Sequence, residues 1–215
     1  MRRLAFLLAI VLCASPLLAT PNPYRLLKSV TALQTDGRNM CSVTSINNEK
    51  KYYLTAAHCV LAQFPDAEQG PNENMSIDGK PAFLVDVNGE KDLAVLMAPG
   101  TNRPALKLAK KSVRYLDEVY VTGHPFGWKD ATVFRGWVSH PSTQFTDDPR
   151  DYPFTKRYMI LQVSGAPGNS GSSVVNENME VVSVIQISWG RSFEPVMGSA
   201  PYHELVRFAS KYFAK

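Results

Sequence analysis

From Val30 onward the chain is built of short apolar or alternating runs broken by turn residues. Residues 42–46 and 51–55 flank Asn47-Asn48-Glu49-Lys50, which predicts a hairpin that delivers Ala56-Ala57-His58 at its far end. Further strands are predicted over 81–87, 92–97, 118–122, 131–140, 157–163 and 181–187. The polar segments 65–74 and 141–153, rich in Gly, Pro, Asn, Asp and Thr, read as surface loops. Only the tail changes period: Leu205, Val206, Ala209 and Phe213 recur at helical spacing after Pro201, so a helix is expected over 201–213. Many short strands at this spacing make an all-β barrel or sandwich, with no internal repeat and no heptad.

The first 19 residues follow a different rule. A basic start, an apolar stretch from Leu4 to about Leu12, then Pro16 and small residues before Leu18-Ala19 form a secretory leader cleaved near Ala19. The alternative, an uncleaved membrane anchor, needs a longer run without proline. A lipoprotein signal needs a small residue before Cys13, and Leu12 stands there. The remaining chain, 20–215, suits one domain, or two small barrels sharing a cleft, with halves expected over roughly 24–110 and 111–200 before the helix.

At 45% hydrophobic and 20% charged residues, the 215-residue chain has ample material for a packed core. Its net charge of +4 includes Arg2 and Arg3 of the leader, so it carries no nucleic-acid footprint. Leader cleavage removes Cys13 and leaves Cys41 and Cys59, in an exported protein most simply a disulfide. A zinc site is the alternative, and scattered histidines at no regular spacing support it poorly.

The candidate chemistry centres on Ser164-Gly165-Ala166-Pro167-Gly168-Asn169-Ser170-Gly171-Ser172-Ser173. A serine hydroxyl in a glycine-flanked turn is what acyl transfer requires, because glycine reaches φ > 0 without steric cost. The amides of Gly168 and Ser170 can then converge beside the hydroxyl as oxyanion donors. Taken alone, the same composition is an ordinary surface turn. What distinguishes it is the presence upstream of Leu54-Thr55-Ala56-Ala57-His58-Cys59-Val60 and Asp92-Leu93-Ala94-Val95-Leu96, in the order His, Asp, Ser.

With these three stretches the chain resembles the chymotrypsin-like (trypsin-fold) serine proteases, from about Val30 to the C-terminus. Gly-Asn-Ser-Gly-Ser is closer to the bacterial branch, glutamyl endopeptidases and high-temperature-requirement proteases, than to the animal digestive enzymes. The resemblance implies an all-β fold of two packed six-stranded antiparallel Greek-key β-barrels with a C-terminal α-helix. It implies His58 as general base and then acid, Asp92 as the residue that orients its imidazole, and Ser170 as nucleophile. The same resemblance implies the Cys41–Cys59 bridge, which would pin the turn carrying His58. Asn169 carries no charge to pair with a freed N-terminus, so activation by that ion pair is not expected. Ser172 and Ser173 depart from the Gly-Pro of the digestive enzymes, and no PDZ-like domain is expected after the helix.

The resemblance also maps a substrate cleft. Ser164, six residues before the nucleophile, floors the primary pocket, with Gly165, Ile187 and Gly190 on its walls. Ser188-Trp189-Gly190 is the edge that pairs with substrate backbone. A neutral floor disfavours Lys or Arg, and Ile187 stands where glutamyl endopeptidases place a histidine, so an apolar side chain is expected before the cleaved bond. Arg191 could reshape that pocket. His124, in Gly123-His124-Pro125-Phe126-Gly127, is read as structural, and His140 and His203 as surface residues. The expected protein is a secreted or periplasmic monomeric endopeptidase acting on polypeptides. It uses no cofactor and no metal, and has no nucleic-acid partner and no stable membrane association once the leader is removed. A catalytically silent binding protein on the same scaffold is the competing reading. An esterase is a third, but no Gly-x-Ser-x-Gly elbow between strand and helix is present.

Overall fold

The computed structural model describes residues 23–35, 37–61, 74–144, 156–189 and 196–214. The leader with Cys13, most of the 65–74 loop, the far part of the 141–153 loop, Gly190 and Arg191 lie outside the described residues.

A short helix α1 (Pro23–Ser29) leads into the first sheet, which holds β1 (Val30–Thr35), β2 (Arg38–Asn47), β3 (Tyr52–Thr55), β4 (Met75–Ile77), β5 (Lys80–Pro81), β6 (Phe83–Asn88) and β7 (Leu93–Met97). Between β3 and β4 sits a single turn of helix, α2 (His58–Leu61). The predicted hairpin is β2–β3, antiparallel with Thr44 opposite Leu54. Its alternation buries Val43 and Tyr53 in the first-sheet core with Leu33, Met75, Ile77 and Leu96.

The second sheet holds β8 (Lys107–Leu108), β9 (Glu118–Gly123), β10 (Thr132–Gln144), β11 (Arg157–Gln162), β12 (Ser173–Val175), β13 (Glu180–Ser188) and β14 (Met197–Ser199). Pairing of β12 with both β9 and β13 closes it into a six-strand barrel, while the first sheet is a half-barrel. The expected all-β, trypsin-like fold with a C-terminal helix is therefore present, although the first sheet is a half-barrel and not a closed one, and among the described residues each sheet has seven strands where six were expected. The seventh of the second sheet, β8, is a parallel edge on β13, so part of the segment assigned to the first half pairs with the second. β10 runs past His140 through Pro141 because the register shifts there, and proline is tolerated where ladder bonding is interrupted.

The two sheets pack on a shared apolar layer: Ile46, Leu54, Leu93 and Val95 meet Val175, Val181 and Val184. The tail helix α3 (Tyr202–Ala209) seals this seam with Leu205 and Ala209, and Phe213 follows a short 3-10 turn. The predicted His58 follows β3 and Asp92 precedes β7 of the first sheet, whereas Ser170 precedes β12 of the second.

Candidate active site

β3 ends at Thr55, and Ala56 and Ala57 turn the chain so that α2 begins on His58, with the Val60 and Leu61 N–H groups donating to Ala57 O at 2.9 and 2.8 Å. Cys59 is bonded to Cys41 of β2, Cα–Cα 6.1 Å, so the turn bearing His58 is covalently tied to the neighbouring strand. Among the described residues the one close group of His, Cys and carboxylate donors is Cys41, His58 and Cys59. Its two sulfurs are bonded to each other and offer no thiolate ligand.

Asp92 sits just before β7 with φ 51°, a left-handed conformation that aspartate tolerates better than most side chains. Its carbonyl and that of Lys91 accept from Gln186 Nε2 at 3.0 and 2.6 Å, which anchors the turn to β13. The carboxylate grips His58 at two points. Oδ1 accepts the His58 backbone N–H at 2.7 Å, and Nδ1 lies 2.9 Å from Oδ2 and 3.1 Å from Oδ1. A carboxylate only accepts, so Nδ1 carries the proton in this contact and Nε2 is left on the other side of the ring. Asp92 is buried, whereas the His58 side chain is 41% exposed, so the imidazole reaches solvent. A Cys59 sulfur lies 3.8 Å from Nε2.

Ser170 arrives from the second sheet. Its carbonyl accepts the Ser42 N–H at 2.8 Å, and Gly171 donates to Ile185 O at 2.9 Å. Gly171 has φ 83°, and a Cβ there would stand 2.2 Å from both Ser42 O and Thr55 Oγ1 and 3.2 Å from Ala56 N. The serine turn is thus pressed against the end of β3, three residues before His58. Among the described residues no hydrogen bond joins the Ser170 hydroxyl to His58. Base activation requires the hydroxyl to turn toward Nε2, which is common before substrate tightens the site.

Two backbone orientations bear on oxyanion binding. Pro167 C=O accepts from Phe126 N–H, and Asn169 C=O accepts from Ser172 N–H at 2.9 Å. In a trans peptide the N–H points opposite to the C=O, so the N–H groups of Gly168 and Ser170 are turned away from those partners. Among the described residues no backbone hydrogen bond takes up either N–H.

Ser42, a residue no sequence signal singled out, holds the turn together. Its hydroxyl donates to Gly168 O at 2.8 Å and accepts the His124 N–H at 3.0 Å. His124 is buried, with Nδ1 2.8 Å from Trp128 O. Burial holds its imidazole below the ordinary histidine range. It serves the scaffold behind Gly168, in agreement with its structural reading. Asn169 is fully buried beside Gly123, with its Oδ1 2.8 Å from where a Cβ on Gly123 would sit.

The mapped cleft residues gather at β14. A Cβ on Gly165 would fall 2.3 Å from Met197 Sδ, and one on Gly198 would meet the Trp189 ring at 2.5 Å and Ile187 Cγ2 at 2.7 Å. Tyr158 meets the Trp189 indole edge-on at 5.5 Å. Ser164 is half-buried after β11, and Ser188, opposite Met197, is exposed.

Comparison with known proteins agrees with this architecture. The family model for the trypsin-like peptidase domain matches residues 41–184. The chain belongs to the trypsin-like peptidase family. A curated relative, the "Probable periplasmic serine endoprotease DegP-like" of Pseudomonas putida (strain W619), is 34% identical over 104 residues, covering 48% of this chain. The match spans only 20% of that relative's length. Among solved structures, the inactive form of the Rv3671c protease superposes with TM-score 0.68 at 19% identity, covering 91% of this chain and 98% of the other. The active form of the Mycobacterium tuberculosis protein gives 0.67 at 17% identity, covering 92% and 90%. At these identities the likeness is one of fold.

Proposed function

We propose that this trypsin-like peptidase is an exported endopeptidase that cleaves peptide bonds through His58, Asp92 and Ser170. The observation that carries the reading is the double grip of Asp92 on His58, backbone N–H and Nδ1 together, next to the turn that presents Ser170. In the proposed reaction His58 Nε2 takes the Ser170 proton as Oγ attacks the substrate carbonyl, and Asp92 stabilises the resulting imidazolium. The N–H groups of Gly168 and Ser170 receive the developing oxyanion. His58 then protonates the leaving amine, and water, activated the same way, releases the acyl group. Oxyanion donors of this kind contribute on the order of 10²–10³ in rate.

The substrate is a polypeptide laid along Ser188, Trp189 and Gly190. Its side chain before the cleaved bond lies against Ser164, Gly165 and Ile187, with the Trp189 ring beside Ile187 at Gly198. An apolar residue such as Leu, Phe, Tyr or Met fits that lining. The leader, the Cys41–Cys59 bridge and the periplasmic relative support a secreted or periplasmic location. Among the described residues no helix is long and apolar enough to cross a membrane.

Turnover of a mixed peptide library tests the reading. Wild type cleaves it, and Ser170→Ala and His58→Ala, folded by circular dichroism, do not. Turnover by Ser170→Ala at a rate near wild type would sink the assignment of Ser170 as nucleophile, and a folded wild type that cleaves nothing would leave a binding role on this scaffold.

A further inference from the structure

The Asp92 carboxylate meets a second basic group besides His58. Lys156, the residue before β11, places Nζ 3.6 Å from Asp92 Oδ2, with 14% of its side chain exposed. That oxygen is the one 2.9 Å from His58 Nδ1. The ammonium also lies over the Tyr158 ring, 5.2 Å from its centroid. A long side chain confined in this way loses rotamer freedom, and an ammonium taken out of water is stable only against a specific partner.

The other charges around the pair come from two further elements. Lys91, on the turn before β7, bridges Glu90 at 2.9 Å and Glu204 of α3 at 3.3 Å, and His203 lies 3.9 Å from Glu204. Burial, with some help from Lys91, pushes the Lys156 ammonium below the ordinary lysine range, while Asp92 and Glu204 pull it back up. Asp92 is the acid that Lys156 touches.

We propose that Lys156 is a positioning residue of the reaction: its ammonium competes with His58 for the charge on Asp92 Oδ2, and so opposes charging of the imidazole. The proposal rests on the reading of His58, Asp92 and Ser170 as the reacting groups. A like charge held near an ionising group disfavours its charged form. Lys156 therefore keeps His58 neutral, and able to accept the Ser170 proton, at lower pH than Asp92 alone would allow. The same ammonium, sharing Oδ2, fixes the rotamer of the carboxylate that aligns the ring.

The test is the pH dependence of kcat/KM on an uncharged peptide substrate, which reports the ionisation of the free enzyme. It compares wild type with Lys156→Gln, Lys156→Met and Lys156→Arg. The acid limb is expected to move to higher pH by about half a unit or more in the two uncharged variants. It should stay at the wild-type position in Lys156→Arg. The Met variant covers the case in which Gln does not fold, because it keeps an apolar stem over Tyr158. Coincident acid limbs in wild type and the uncharged variants overturn the proposal. An equal shift in Lys156→Arg overturns it too, because packing rather than charge would then be responsible. Either failure leaves the catalytic reading intact, whereas failure of that reading appears separately, as retained turnover in Ser170→Ala or His58→Ala.

Discussion

Replacing Gly168 by alanine probes the link between backbone geometry and rate without touching any reacting side chain. Gly168 has φ 97°, and a Cβ there would lie 2.3 Å from His124 O and 3.1 Å from the backbone nitrogens of Phe126 and Gly127. All three neighbours are backbone, so no rotamer change relieves the clash, and the turn itself has to move. Holding a side-chain-bearing residue in this conformation costs about 1–3 kcal/mol. For a chain of this size each kcal/mol lowers Tm by roughly 2–4 °C. The catalytic consequence is larger: if the turn swings, the Gly168 N–H no longer meets the oxyanion, and loss of one such donor costs about 10²–10³ in kcat. Steady-state kinetics on a peptide substrate, with a thermal melt of the same preparation, separates the two effects. Gly168→Ala should show kcat lower by that factor, a far smaller change in KM, and a melting point roughly 2–12 °C below wild type. A folded Gly168→Ala enzyme with wild-type kcat would refute the assignment of that N–H to the transition state.

Other perturbations give equally definite outcomes. Replacing Cys41 and Cys59 together by serine removes a bridge across a sequence separation of 18 and should cost about 3 kcal/mol on the chain-entropy account, read from denaturant melts of native and variant protein. Burial lowers the His124 pKa, with Arg103 adding to the shift and Trp128 O, Asp130 and Asp78 opposing it. The unfolded chain therefore takes up the proton first, near pH 6.5, and this contribution is intact above that pH and lost as pH falls toward the lower folded value. Melting temperatures measured from pH 7.5 down to 5 should fall less steeply in His124→Gln, and parallel slopes would contradict the burial argument. Profiling with a peptide library should return Leu, Phe, Tyr or Met before the cleaved bond, whereas a dominant Lys, Arg or Glu would show the mapping of Ser164 and Ile187 to be wrong.

The parts of the molecule legible in the sequence are those whose signal is local. The β2–β3 hairpin, β7, β9 and β13 each write an apolar or alternating run between turn residues, and α3 writes a change of period. His58 and Asp92 stand where such runs end or begin, and Ser170 stands in the glycine-flanked turn before β12. The pairings β4, β5, β8 and β14, two or three residues long, are too short to show a period, which is why the count of seven strands per sheet was hidden. Nor did the sequence reveal the residues that hold the site together. Ser42 reaches Gly168 across 126 positions and Gln186 reaches Asp92 across 94, and both look like ordinary polar interruptions of a strand. Lys156 reads as one more surface lysine beside a polar loop. Its contact with Asp92 exists only because β11 and β7 belong to different sheets that meet at the seam.

Covalent labelling tests the central claim most directly. An organophosphonate serine probe requires an activated hydroxyl, and peptide mapping by mass spectrometry identifies where it attaches. The account predicts one adduct per chain, on Ser170, absent from Ser170→Ala and strongly slowed in His58→Ala. A native, folded preparation that takes up no probe, or carries it on a serine other than Ser170, would contradict it.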